Sequence, residues 1–167
     1  MERVYIDTCA WCRPFDKPTP RTTKETDALH RILSLADEGK IEIIGSGVVL
    51  FEVSMIDVAE KRDAISALIR KSANMFAEVT EEAERLAVDL TNKCKLDSVD
   101  SAHIATAVRG NAGVFLTTDD EILDKKDCIS KFGIVVKNPA DYIKVVQDEQ
   151  RCICGSCYEK GPEYFKK

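Results

Sequence analysis

Short strand-forming runs alternate with helical ones along this chain, and that alternation constrains the fold more than any other feature. Val4-Tyr5-Ile6, Ile41-Glu42-Ile43-Ile44-Gly45, Gly113-Val114-Phe115-Leu116-Thr117 and the stretch from Gly133 to Val136 are apolar runs of strand length. Ala77-Glu78-Val79 is a shorter candidate. Strands that reach one another only through helices pair in parallel, and a parallel sheet needs helices over both faces. The expectation is an α/β fold: a three-layer α/β/α sandwich around a central parallel sheet.

The helical stretches read as follows. Ala28, Leu29, Ile32, Leu33, Leu35 and Ala36 recur at helical spacing after Thr22 and Glu25, which have capping-box spacing, and Gly39 ends the run. Further helices are expected from Gly47 to Ile56, Ala59 to Ala73 and Thr80 to Lys95, and from an N-cap at Ser98 to Gly110. A short acidic helix follows Thr117, and Pro139 opens the last one. Cys9 to Pro20 holds Pro14, Pro18 and Pro20 and reads as a loop. At 167 residues one domain is expected, over 1–148, with 149–167 as a cysteine-containing appendage.

The formal net charge of −5 excludes a protein that coats nucleic acid through bulk positive charge. It leaves open an enzyme whose site is itself acidic. The sequence has no apolar run of bilayer-crossing length, and MERVYIDTCAW lacks the pattern of a signal peptide. A cytoplasmic protein with no membrane association is therefore expected, and its seven Cys are expected as thiols or metal ligands rather than a disulfide framework.

Ligands of open parallel sheets bind beyond the C-terminal strand ends. Asp7 ends the first strand and Asp119 follows the strand closing at Thr117. Glu52 interrupts the apolar helical run Val48–Val53, and Asp100 lies near the start of its helix. Taken singly, Asp7 can be a loop acid, Asp100 a favourable helix-terminal charge and Asp119 a cap. Glu52 is harder to place that way, because an acid in an apolar run is rarely buried unpaired. Two carboxylates about 4 Å apart repel by roughly 4 kcal/mol at an effective dielectric near 20. A cluster of four therefore needs protonation or a cation, and all-oxygen ligands suit Mg²⁺ or Mn²⁺.

These segments resemble the PIN domain, a fold of many metal-dependent ribonucleases including VapC-type toxins. The resemblance is carried by Val4-Tyr5-Ile6-Asp7-Thr8, by Gly45-Ser46 with Val49-Leu50-Phe51-Glu52, by Asp100-Ser101-Ala102-His103-Ile104-Ala105 and by Leu116-Thr117-Thr118-Asp119. Arg13-Pro14-Phe15-Asp16 is similar to the loop of a subgroup with RPFD at this place. The resemblance implies Asp7, Glu52, Asp100 and Asp119 as catalytic, Mg²⁺- or Mn²⁺-binding acids. Thr117 or Ser46 would support them; Glu121 stands where relatives carry a further Asp, with Asp120 as the adjacent alternative. It implies RNA as substrate, an antitoxin protein as partner if the chain is a toxin, and a homodimer. The rival is a PIN-fold module that binds RNA or protein without cleaving.

Arg13, Lys17, Arg21 and Lys24, with Trp11 and Phe15 interleaved, follow Asp7 and suit single-stranded RNA through phosphate contact and stacking. The alternatives are that the aromatics pack onto the sheet and that Arg13 pairs with a site carboxylate. His103, three residues after Asp100, touches substrate, orients a carboxylate or simply packs. Cys152, Cys154 and Cys157, with Cys128 as a fourth ligand, have spacing for Zn²⁺; free thiols are the alternative.

Overall fold

The computed structural model describes residues 1–153. Its strands are β1 (Glu2–Ile6), β2 (Ile41–Ser46), β3 (Met75–Ala77), β4 (Val114–Leu116) and β5 (Val135–Lys137). They form one sheet in the order β3-β2-β1-β4-β5, and every neighbouring pair is parallel. Val4, Tyr5 and Ile6 are all fully buried. Successive strand residues point to opposite faces, so the central strand is covered on both, as the expected three-layer sandwich requires.

The helices are α1 (Thr8–Cys12), α2 (Pro20–Asp37), α3 (Gly47–Ser54), α4 (Ala59–Ser72), α5 (Glu81–Cys94), α6 (Ser98–Arg109), α7 (Asp120–Asp124), α8 (Lys126–Ser130) and α9 (Pro139–Ile153). In the largest helix–helix contacts α2 packs against α9 and α5 against α6. Gly39, at φ +70°, closes α2 in the left-handed conformation that glycine takes without strain.

Several boundaries differ from the sequence expectation, each for a local reason. The segment after Asp7 is not a loop: Asp7 accepts a hydrogen bond from Thr8 N and starts α1, and Arg13–Phe15 continue as a 3₁₀ turn. α2 begins at Pro20, because Thr19 and Thr22 form the reciprocal capping box, which frees Glu25 for other partners. Asp97, not Ser98, caps α6; its carboxylate accepts from Asp100 N. β3 lies two residues earlier than Ala77–Val79, in register with Ile44–Ser46. β5 is Val135–Lys137 rather than Gly133–Val136, and α8 was not anticipated.

Cys94 and Cys128 form a disulfide that ties α5 to α8, with Cα atoms 5.7 Å apart. This corrects the expectation of thiols at both positions and removes Cys128 as a Zn²⁺ ligand, since a disulfide sulfur has no thiolate to offer. Of the remaining expected ligands, Cys154 and Cys157 lie outside the described residues, and of Cys152 only its place in the last turn of α9 is described. That helix runs past residue 148, where the appendage was expected to begin.

Candidate active site

The strand order turns back at β1, with β2 on one side and β4 on the other. In such sheets the crevice forms beyond the C-terminal ends of the strands flanking that reversal. Asp7 stands there directly after β1, its N–H donating to Leu116 O of β4 at 2.9 Å, and Asp119 stands three residues past Leu116. α3 brings in Glu52 and α6 brings in Asp100.

Asp7 is almost fully buried, at 5% exposure. Its Oδ1 accepts from Thr8 N at 2.7 Å; its Oδ2 accepts from Thr117 Oγ1 at 2.8 Å and from the Cys9 thiol at 3.1 Å. Thr117 Oγ1 also accepts from Asp119 N at 3.1 Å, so this hydroxyl couples the two strand-end acids. Asp119 Oδ1 accepts from Glu121 N at 2.8 Å and caps α7. Glu52 Oε1 lies 2.7 Å from His103 Nε2, which is 3.8 Å from Asp7 Oδ1.

Burial and neighbouring charges both act on the acids of the site. Burial, followed by the charges of Asp97, Asp7 and Asp119, pushes the Asp100 carboxyl up to about 7. The His103 hydrogen bond holds Glu52 below the usual carboxylate range, against the opposing effect of burial. Burial disfavours charge on His103, yet the Glu52 hydrogen bond and the charges of Asp7, Glu52 and Asp100 outweigh it and raise its pKa. The Cys9 thiol is pushed up to about 12 by burial and by Asp7, so it stays protonated and donates to that carboxylate.

As placed, no three His, Cys, Asp or Glu side chains among the described residues stand together closely enough to share one ion. The donor chemistry nonetheless fits a hard divalent cation: the four acids supply oxygens only, and burial together with the acidic neighbours disfavours the charge on Asp100 that a cation would stabilise. The Thr8 hydroxyl, next to Asp7 in sequence, is buried without a hydrogen-bond partner, leaving a polar atom for a hydrated ion to satisfy.

The expected supporting residues divide. Thr117 contacts the acids directly, whereas Ser46 caps α3 and bonds to Tyr5, with no hydrogen bond to any of the four. Asp120 pairs with Arg21 at 2.9 Å, and the exposed Glu121 offers the cluster only its backbone N–H. Trp11 is 1% exposed and donates from Nε1 to Ile6 O at 3.0 Å, so its expected role as a base-stacking residue is corrected to a core one. Phe15 and Lys17 are exposed. Arg13 pairs with Asp16 at 2.9 Å and with buried Glu25, not with any of the four acids.

Sequence reading missed Glu25. At 2% exposure it accepts from Arg13, from Arg21 at 3.0 Å and from Asn138 at 2.7 Å, fastening α2 to the RPFD turn and to the end of β5. Arg21 continues the link, donating to Thr118 O at 2.8 Å and to both Asp120 oxygens, and so steadies the turn that carries Asp119. The Arg21/Glu25 i,i+4 spacing was the available signal.

A five-stranded parallel sheet with acids gathered at its switch point defines an α/β protein with a candidate carboxylate site. The PIN domain family model matches residues 4–127, and the chain belongs to that family. Comparison with curated proteins finds no match. Among solved structures, the fold is similar to VapBC2 from Rickettsia felis, solved bound to a DNA fragment from its promoter. The identity there is 12% and the TM-score 0.57, over 81% of this chain and 98% of that one. It is also similar to Mycobacterium tuberculosis VapC20, described as a toxin that cleaves the sarcin–ricin loop. That match has 18% identity and a TM-score of 0.53, over 72% of this chain and 94% of the other. Among the described residues no helix is long and apolar enough to cross a membrane.

Proposed function

We propose that the protein is a metal-dependent ribonuclease whose site is Asp7, Glu52, Asp100 and Asp119 with Mg²⁺ or Mn²⁺. The observation that carries this reading is the crowding of acids at the sheet's switch point, where Asp100 is pushed up to about 7 by burial and by Asp97, Asp7 and Asp119. Burial and acidic neighbours both disfavour charge on Asp100, and a divalent cation bound there would offset both. Such an ion would activate water and stabilise the leaving oxygen in phosphodiester hydrolysis.

The chain's own residues would divide the remaining work. Asp7, fixed by Thr8 N, Thr117 and Cys9, is the rigid ligand, and Glu52 is aimed by His103. Asp100 and Asp119 complete the set from α6 and the β4 end. Exposed Phe15 and Lys17, on the loop after Asp7, offer a stacking face and a phosphate contact for single-stranded RNA. A toxin role with an antitoxin partner, and assembly as a homodimer in the cytoplasm, extend the same proposal through the likeness to VapC proteins.

The test is cleavage of a mixed RNA pool with Mn²⁺ or Mg²⁺, with EDTA, and with Asp7→Asn. Cleavage by the wild type that EDTA and Asp7→Asn both abolish, with far-UV circular dichroism unchanged, is the expected result. A folded wild type that cleaves no RNA with either ion, yet retains RNA or protein binding, would establish the non-catalytic module instead.

A further inference from the structure

We infer that Tyr5 and His103 are positioning residues that set the orientation of Glu52 from the core of the sheet. This rests on the assignment of Glu52 as a cation ligand. Tyr5 lies on β1, its ring stacked on that of Phe115 in the adjacent strand β4, with centroids 5.3 Å apart and planes at 12°. The same ring meets His103 edge-on at 5.9 Å. Tyr5 Oη is 2.8 Å from His103 Nδ1 and 2.6 Å from Ser46 Oγ, and His103 Nε2 is 2.7 Å from Glu52 Oε1. Tyr5, Ser46 and His103 are each 0–1% exposed.

An ionised carboxylate only accepts, so the Nε2 facing Glu52 carries a hydrogen. Nδ1 accepts from the Tyr5 hydroxyl when the ring is neutral and donates to it when the ring is protonated, and in both cases Tyr5 and Ser46 share the hydroxyl–hydroxyl bond. Ser46 Oγ in turn accepts from Val49 N at 3.2 Å, so the chain is anchored in the first turn of α3, the helix that carries Glu52. Every polar atom in the line finds a partner, and the line ends on a single Glu52 oxygen. Oε1 is taken by the imidazole, and Oε2 is left for a ligand.

A free glutamate side chain loses rotamer entropy on being fixed. Here the core absorbs that cost before any ion arrives. Hydrogen-bond partners behind metal ligands change affinity by about 10–100-fold when removed.

The experiment is Mn²⁺ titration of the full chain by calorimetry. Tyr5→Phe keeps the stacked ring and removes only the hydroxyl; it should weaken Mn²⁺ binding by about 10-fold with unchanged circular dichroism. His103→Leu should weaken it further, and His103→Gln, which restores an N–H near the place of Nε2, should recover most of that loss. If Tyr5→Phe and His103→Gln melt at lower temperature but bind Mn²⁺ like the wild type, the residues are structural and the inference is overturned. A wild type that binds no Mn²⁺ overturns the cation assignment itself, and the positioning role falls with it.

Discussion

Asp100 is held against its own electrostatic preference, and Asp100→Asn should make the protein more stable. In an unfolded chain an aspartate titrates near 4. In the folded protein burial and the charges of Asp97, Asp7 and Asp119 push it up to about 7. Below pH 4 both states hold the proton and the residue contributes no difference. Between pH 4 and 7 the unfolded chain releases the proton while the native one keeps it, so stability falls as pH rises. Above pH 7 the penalty is complete: about three pH units at 1.36 kcal/mol each gives about 4 kcal/mol before screening. Asp100 is partly exposed, and screening by solvent lowers this to about 1–2 kcal/mol. Losing a favourable charge in the first turn of α6 returns a few tenths at most. Urea denaturation in EDTA at pH 7.5 should therefore show the Asn variant ahead by about 1–2 kcal/mol, with the two proteins converging at pH 4. Excess Mn²⁺ should reverse the ranking at pH 7.5, because only the wild type gains from binding. An Asn variant no more stable at pH 7.5, or one whose advantage persists unchanged at pH 4, refutes the reasoning.

Glu25→Ala should cost about 2–3 kcal/mol, since it leaves Arg13, Arg21 and Asn138 without their shared buried acceptor; a urea midpoint equal to that of the wild type would contradict this. Cys94→Ser opens a crosslink spanning 34 residues and should lower stability by roughly 4 kcal/mol on the chain-entropy account. Dithiothreitol should then destabilise the wild type but not the variant, and unreduced peptide mapping should recover the Cys94–Cys128 pair. Trp11 is the single tryptophan, so intrinsic fluorescence reports on it alone. Saturating RNA should leave its emission maximum in place, whereas a shift or strong quenching would return Trp11 to the substrate surface.

The architecture was legible because burial writes a period into the sequence. Val4-Tyr5-Ile6 and Val114-Phe115-Leu116 are unbroken apolar runs, as strands covered on both faces must be. The ends of elements were less legible because neighbouring residues compete for one cap. Thr19 and Thr22 bond reciprocally where Thr22 and Glu25 have the same spacing, and Asp97 outcompetes Ser98 at the start of α6. α1 was hidden because a single turn has no period to display. Its presence buries Trp11, which a line of bases and aromatics could not disclose. The Cys94–Cys128 pair follows from how α5 meets α8, and a separation of 34 residues carries no hint of it.

The site divides along the same physical line. Acid positions were readable because placement after a strand or within a helix is a one-dimensional property. The partners of those acids were not, because they come from other elements: Thr117 reaches Asp7 across 110 positions, and Tyr5 reaches His103 across 98. His103 could be placed on the face of Asp100 by its spacing of three, yet its strongest carboxylate contact is Glu52, on a different helix. Tyr5 gave no signal at all, since a tyrosine in an apolar strand is indistinguishable from core until its hydroxyl is located. Which residues carry charge is therefore written locally. How each charge is oriented is a property of the packed sheet, and substitutions such as Tyr5→Phe, neutral by composition, are the ones that should separate orientation from charge.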